Sequence, residues 1–223
     1  MPTETFFNLP KEKQNRILTA AAREFSRVGL NEASIAKVIK EAEISRGSFY
    51  QYFSDKEDLY YYYFQTLKSN GHRYLIQAIE ENKGDLFDGV EDYFRRLLPE
   101  VLEGENQAFF RHLFLNMDAH GFQRVIPYLE KKVGPSPHTH SHELNKNQQE
   151  LIKVVNREQL KVENDEEIIL LFKMLMHILF TTIAEGCRQQ LLKPETSLGS
   201  IQKRFITKLQ WLKNGARKET MND

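Results

Sequence analysis

The stretch SIAKVIKEAEISRGSFYQYFSDKEDL, residues 34–59, constrains this chain more than any other. In 26 residues it sets out two short helices, a tight turn and the capped start of a further helix. Ile35, Val38, Ile39 and Ala42 recur on one side of the first helix, and Ile44 follows in the turn. Phe49 and Phe53, four apart, carry the apolar face onto the second helix. Two short helices sharing one inner face across a tight turn are the layout of a helix-turn-helix. In that motif the first helix braces the second against the DNA major groove.

The remaining segments also have helical period. Pro10 suits a first turn, and Ile17, Ala21 and Phe25 then recur with Leu18, Ala22 and Val28 as far as Gly29. Ser34 and Ser45 are the expected N-caps of the next two helices. Ser54 and Glu57 form an S-x-x-E capping box that predicts a long fourth helix to about Asn82. Helices are expected near 86–103, in pieces over 105–131, and near 144–162, with GPSPHTHSH (134–142) as a loop. Asn164 with Glu167 starts a long helix to about Leu192, which Lys193-Pro194 ends, and a last helix covers 198–214. No segment alternates like a strand. The expected fold is all-α: a three-helix N-terminal DNA-binding domain over 1–54, then a larger helical bundle over 55–223.

Acidic and basic residues balance at 31 each, so bulk charge offers nucleic acid no attraction and counts mildly against such a partner. Cys187 is the only cysteine, which rules out an internal disulfide and fits a reducing cytosol. Charged residues break the first thirty positions, so no secretion signal is read there. The most apolar run, Ile168 to Ala184, is short for a membrane span and carries Lys173 and His177. A cytoplasmic protein without a membrane partner is expected. No G-x-S-x-G, H-E-x-x-H, C-x-x-C or phosphate-cradling glycine loop occurs, so neither an enzyme nor a cofactor is expected.

With Phe49 and Phe53 turned inward, Arg46, Gly47, Ser48, Gln51 and Tyr52 are assigned to the outer arc of the second helix. Arg46 can pair bidentately with guanine or hold a phosphate, and Gly47 lets backbone approach backbone. Ser48 and Tyr50 carry hydroxyls suited to phosphate oxygens, and Lys56 brings a charge at the start of the fourth helix. Lys37 and Ser45 complete the DNA-facing set.

The module resembles the DNA-binding domain of TetR-family transcriptional regulators. The likeness lies in Ala42-Glu43-Ile44-Ser45, Gly47, Tyr50, Phe53, Lys56 and Leu59 and covers roughly residues 10–64. Glu43 stands where the family usually has glycine, and Ile39 where it usually has alanine. The resemblance implies DNA contacts from Ser34, Arg46, Gly47, Ser48, Tyr50, Tyr52 and Lys56. It also implies a homodimer on a palindromic operator, with recognition helices about 34 Å apart. One helix so short touches few bases, and two-fold symmetry doubles the site.

The rest of the chain is then expected to dimerise and to sense a small-molecule effector. Leu171, Leu175, Ile178 and Leu179, with Ile201, Phe205, Leu209 and Leu212, are the candidate dimer faces, although the same stripes could pack within one copy. Phe110, Phe114, Met117, Phe122, Met174, His177 and Phe180 are the candidate pocket for a hydrophobic effector, or else core. His138, His140 and His142 alternate in the loop, and a solvated loop is preferred to a metal site because no cysteine completes the set. Tyr60 to Tyr63 lie on all sides of the fourth helix, which suits either a hinge or plain interdomain packing. The expected function is a sequence-specific transcriptional regulator, a repressor released by its effector. The rival is a helix-turn-helix-derived interaction module that does not read DNA sequence.

Overall fold

A computed structural model describes residues 2–68, 70–116, 121, 125 and 145–216. Among them every α-helix or 3₁₀ element is helical and no strand occurs. The α-helices are α1 (Glu4–Phe7), α2 (Lys11–Arg27), α3 (Ile35–Glu41), α4 (Arg46–Tyr52), α5 (Lys56–Leu67) and α6 (Gly71–Glu81). They continue as α7 (Leu86–Glu103), α8 (Gln107–Leu115), α9 (Lys146–Val154), α10 (Asp165–Leu192) and α11 (Leu198–Ala216). The chain forms two compact units, one of residues 1–69 and 100–121, the other of 70–99 and 122–223. These bounds are not those of the expected division at 54/55. The break inside α7 falls after Pro99, whose missing N–H removes a helical hydrogen bond.

In the first unit α2 is the central element, with α3, α5 and α8 packed on it. Ile17, Ala20, Ala21 and Phe25 form its buried stripe, and Val38, Ala42, Phe49, Phe53 and Leu59 close the core from the other helices. The tyrosine run is enclosed within this unit. Tyr60 meets Phe25 and Phe109 at 4.9 and 5.1 Å, and Tyr63 meets Phe109 at 4.9 Å. Tyr62 turns the other way, toward Phe6 at 5.4 Å. Burial pushes the Tyr60 hydroxyl well above its ordinary pKa.

In the second unit α10 packs on α11 and α9, and α9 on α6. By length and apolarity alone α10 could cross a bilayer, yet Ile168, Leu171, Phe172, Leu175, Leu179 and Ile183 are buried within the protein. The buried Lys213 ammonium on α11 is held by Asp88, and Asp85 caps the start of α7 by accepting the Phe87 and Asp88 N–H groups.

Three expected boundaries shift, two for a local reason and one through a long-range backbone contact. The long fourth helix is two: α5 ends at Leu67, and Asn70-Gly71, both poor helix formers, begin α6. The expected Ser54–Glu57 capping box at its start does not form, and the N-cap lies one residue later. Asp55 is the N-cap, accepting the Asp58 N–H at 2.8 Å, because a carboxylate also suits the positive helix end. The helix expected to reach 162 stops at Val154, where the Asn156 N–H donates to the Gly84 carbonyl at 2.9 Å. Gly84 has φ +82°, and a Cβ there would lie 2.7 Å from the Asn156 nitrogen. The box at Asn164 forms as half expected: its side chain accepts the Glu167 N–H, while Glu167 accepts from Glu163 instead of Asn164.

The turn between α3 and α4 carries the departure at Glu43. Ile44 N–H donates to Ile39 and Glu43 N–H to Lys40, so α3 ends in a Schellman motif with Glu43 at the left-handed position, φ +53°. A side chain there costs about 1 kcal/mol, and the exposed Arg16–Glu43 ion pair at 3.0 Å returns little of it. Glu43→Gly is expected to leave the fold intact and raise unfolding stability by about 0.5–1 kcal/mol in urea melts.

Candidate nucleic-acid interface

The recognition helix α4 has seven residues and is built from its caps inward. Ser45 Oγ accepts the Ser48 N–H at 3.0 Å and meets Ser48 Oγ at 2.8 Å, so both hydroxyls hold the helix start. Phe49 and Phe53 are fully buried, which leaves Arg46, Gly47, Tyr50 and Gln51 exposed on one face. The Arg46 guanidinium lies over the Tyr50 ring, 5.8 Å from its centroid, and this contact orders a long side chain before any partner arrives. A Cβ on Gly47 would meet only Ser45 Oγ, at 3.8 Å. The fold therefore has no need of glycine at 47.

Four other expected contacts are placed differently from one another. Tyr52 is a correction: it is 4% exposed, its ring packs edge-on to Phe6, and it is not offered on the outer face. Lys56 already donates to the Asn31 carbonyl at 2.8 Å and to that of Ala33 at 3.4 Å, clamping the α2–α3 turn onto α5. Ser34 is the N-cap of α3 by position, yet its side chain makes no capping bond. Lys37 is exposed one turn further along.

What fixes the start of α3 is Glu24, which sequence reasoning missed. Its buried carboxylate accepts two bonds from Arg27, at 2.9 and 2.7 Å, and one from the Ser34 N–H at 2.9 Å. The Arg27 hydrogen bonds, more than any other cause, hold its pKa below the ordinary value. The i, i+3 spacing of Glu24 and Arg27 was the available signal. Both residues line an open groove between α2 and α3, with Arg23, Lys37, Lys40 and Glu41. Arg23 pairs with Glu41 at 2.5 Å. Lys37 and Lys40 make no ion pair among the described residues, so the groove carries a local positive surplus.

The candidate dimer faces need correction as well. Leu171, Leu175, Leu179, Ile201, Phe205 and Leu209 are buried inside the second unit, and only Ile178 and Leu212 keep some exposure. Among the described residues, the exposed large apolar side chains of α10 and α11 are Leu170, Met174, Leu191, Leu192 and Trp211. The candidate pocket is not assembled within either unit. Phe110 and Phe114 are core residues of the first, whereas Met174 and His177 are exposed and Phe180 half-buried on α10 of the second. Met117 and Phe122 lie outside the described residues, as do His138, His140 and His142; among the described residues no cluster could hold a metal ion.

An exposed seven-residue helix, braced by a second helix across a tight turn, defines a DNA-binding regulator of the helix-turn-helix class. A family model described as "Bacterial regulatory proteins, tetR family" matches residues 17–63. A second, "Tetracyclin repressor-like, C-terminal domain", matches residues 85–216, more than half of the chain. The chain belongs to the TetR family of transcriptional regulators, which are not enzymes. It is 41% identical over 127 residues to the HTH-type transcriptional regulator YdgC of Bacillus subtilis, covering 54% of this chain and 63% of that one. It is 39% identical over 93 residues to the HTH-type transcriptional regulator HbdR of Aromatoleum, covering 42% of this chain and 37% of that one. The matches thus span less than two thirds of these relatives. Solved TetR-family structures from Shewanella sp. PV-4 and Marinobacter aquaeolei share the fold. The first has TM-score 0.55 at 17% identity, covering 93% of this chain and 99% of that one. The second has TM-score 0.52 at 17% identity, covering 94% and 97%.

Because the folded Glu24 pKa is depressed, its stabilisation is present above the unfolded value and is lost as pH falls through the folded one. Glu24→Gln is expected to cost about 1.5–3 kcal/mol at pH 7. That deficit should shrink below about pH 4, as urea melts at the two pH values will measure.

Proposed function

We propose that this regulator is a homodimeric repressor that binds a palindromic operator and is released by a hydrophobic small-molecule effector. The observation that carries the reading is the outer face of α4. Arg46, Gly47, Tyr50 and Gln51 stand free of the core on a helix too short to specify a useful site alone. A second copy doubles that face. Leu170, Met174, Leu191, Leu192 and Trp211 offer apolar surface for pairing, in place of the buried stripes. The repressor acts in the cytoplasm, where the operator is. The effector signal reaches the reading head through α8, which packs on α2 in the first unit. There Asn116 abuts Gly29, so that a Cβ at 29 would come within 2.9 Å of its amide. An effector works by preferring a dimer whose two α4 helices no longer match one DNA turn.

The rival reading, an interaction module, draws on the exact charge balance of the chain. Selection of duplexes from a random pool at about 150 mM salt separates the two. An enriched palindrome supports the repressor, and a stable dimer with no enrichment defeats it. On an enriched duplex, Tyr50→Ala is expected to weaken binding to every sequence. Arg46→Ala should cost about 1–3 kcal/mol and relax preference at the base it reads, as fluorescence anisotropy against single-base variants will record.

A further inference from the structure

The recognition helix has an unusual support at its far end. A helix leaves its last carbonyls without intrahelical donors, and in α4 these include Gln51 and Tyr52. Residues from the start of the chain satisfy both. The Thr3 N–H donates to the Tyr52 carbonyl at 2.9 Å, and Thr3 Oγ1 donates to the Gln51 carbonyl at 2.6 Å. Phe6 on α1 is fully buried and drives this strap home, 5.0 Å from the Phe53 ring, 5.4 Å from Tyr62 and 6.3 Å from Tyr52. The strap is fastened at its other end too. The buried Gln14 on α2 donates both amide protons, to the Phe7 carbonyl at 3.1 Å and the Leu9 carbonyl at 2.9 Å. Lys13, on the same helix, lies over the Tyr52 ring, 5.7 Å from its centroid.

We propose that Thr3 and Phe6 are positioning residues for sequence reading: they set the orientation of α4 from its C-terminal end. The proposal rests on the DNA-reading function above. Ser45 and Ser48 fix where α4 starts, and α3 fixes its angle there. Gln51, whose side chain belongs to the exposed reading face, sits in the last turn. The carbonyl of that same residue receives the Thr3 hydroxyl. Loosening the strap therefore frays the turn that carries Gln51 and blurs base recognition. Phosphate contacts tolerate such movement better, because they carry little directional information.

The test uses the full chain, the duplex it enriches from a random pool, and a scrambled duplex of equal length. Thr3→Val keeps the shape of an exposed side chain and removes only its hydroxyl. Affinity for the selected duplex is expected to fall about three- to tenfold, with affinity for the scrambled duplex and the salt slope unchanged. Thr3→Ser should restore the ratio. Phe6→Leu, which keeps the apolar plug but not the rings, should lower the ratio in the same direction. If Thr3→Val lowers the melting temperature while the selected-to-scrambled ratio holds, or weakens both duplexes equally, the strap is merely structural and the proposal is overturned. If the wild-type chain enriches no sequence, the DNA-reading function itself falls, and this proposal falls with it.

Discussion

One buried carboxylate organises the reading unit. Glu24 sits at the end of α2, the helix on which α3, α5 and α8 all pack, and joins that end to the N–H of Ser34, the N-cap of α3. A charge so deep is tolerable only when fully partnered, and the paired guanidinium of Arg27 with one backbone donor meets that condition. The consequence is directional. The bond to the Ser34 N–H ties the end of α2 to the start of α3 and so helps to set the angle at which the chain turns between them. Lys56 then ties the intervening turn to α5 through two carbonyls. The exposed helix is thus the last member of a series of braced joints.

The all-helical class and most of the longer helices were legible in the sequence because apolar period reports burial directly, whereas the four-residue α1 and the break between α5 and α6 were not. The bounds of α7, α10 and α11 follow the expectation closely for that reason. Errors arose where a side chain's choice among nearby backbone groups decided the outcome. Asp55 and Ser54 both could cap α5, and the charge prevailed. Gly84 and Asn156 are 72 residues apart, and no local pattern announces that their backbones bond. Tyr52, three residues beyond Phe49, is buried and not outward. At about 100° per residue it falls only some 60° from Phe49, on the inner side.

The dimer stripes failed for a related reason. The strongest apolar period on a helix marks the face it buries in its own unit, and Leu171, Leu175, Leu179, Ile201, Phe205 and Leu209 are that face. The apolar side chains left exposed are out of phase with it, as Leu170, Met174 and Trp211 are. Thr3, Phe6 and Gln14 gave no signal, since four residues of helix and a buried glutamine carry no pattern without the partners they meet.

The zero net charge and the DNA-reading function are reconciled by how the charges are distributed. Several acids near the reading unit's basic residues are committed to structure: Glu24 to Arg27, Glu41 to Arg23 and Glu43 to Arg16. Lys37, Lys40 and Arg46 form no ion pair among the described residues, although Lys37 lies near enough to Glu24 to help hold its carboxyl below the usual range. Bulk charge governs long-range steering, whereas contact at a phosphate or a guanine depends on the charges left unpaired at the surface. A protein so balanced is drawn weakly to DNA in general. Its hold on any one site must then rest on local fit, which is why rigid joints on three sides of a seven-residue helix matter more here than in a strongly basic protein.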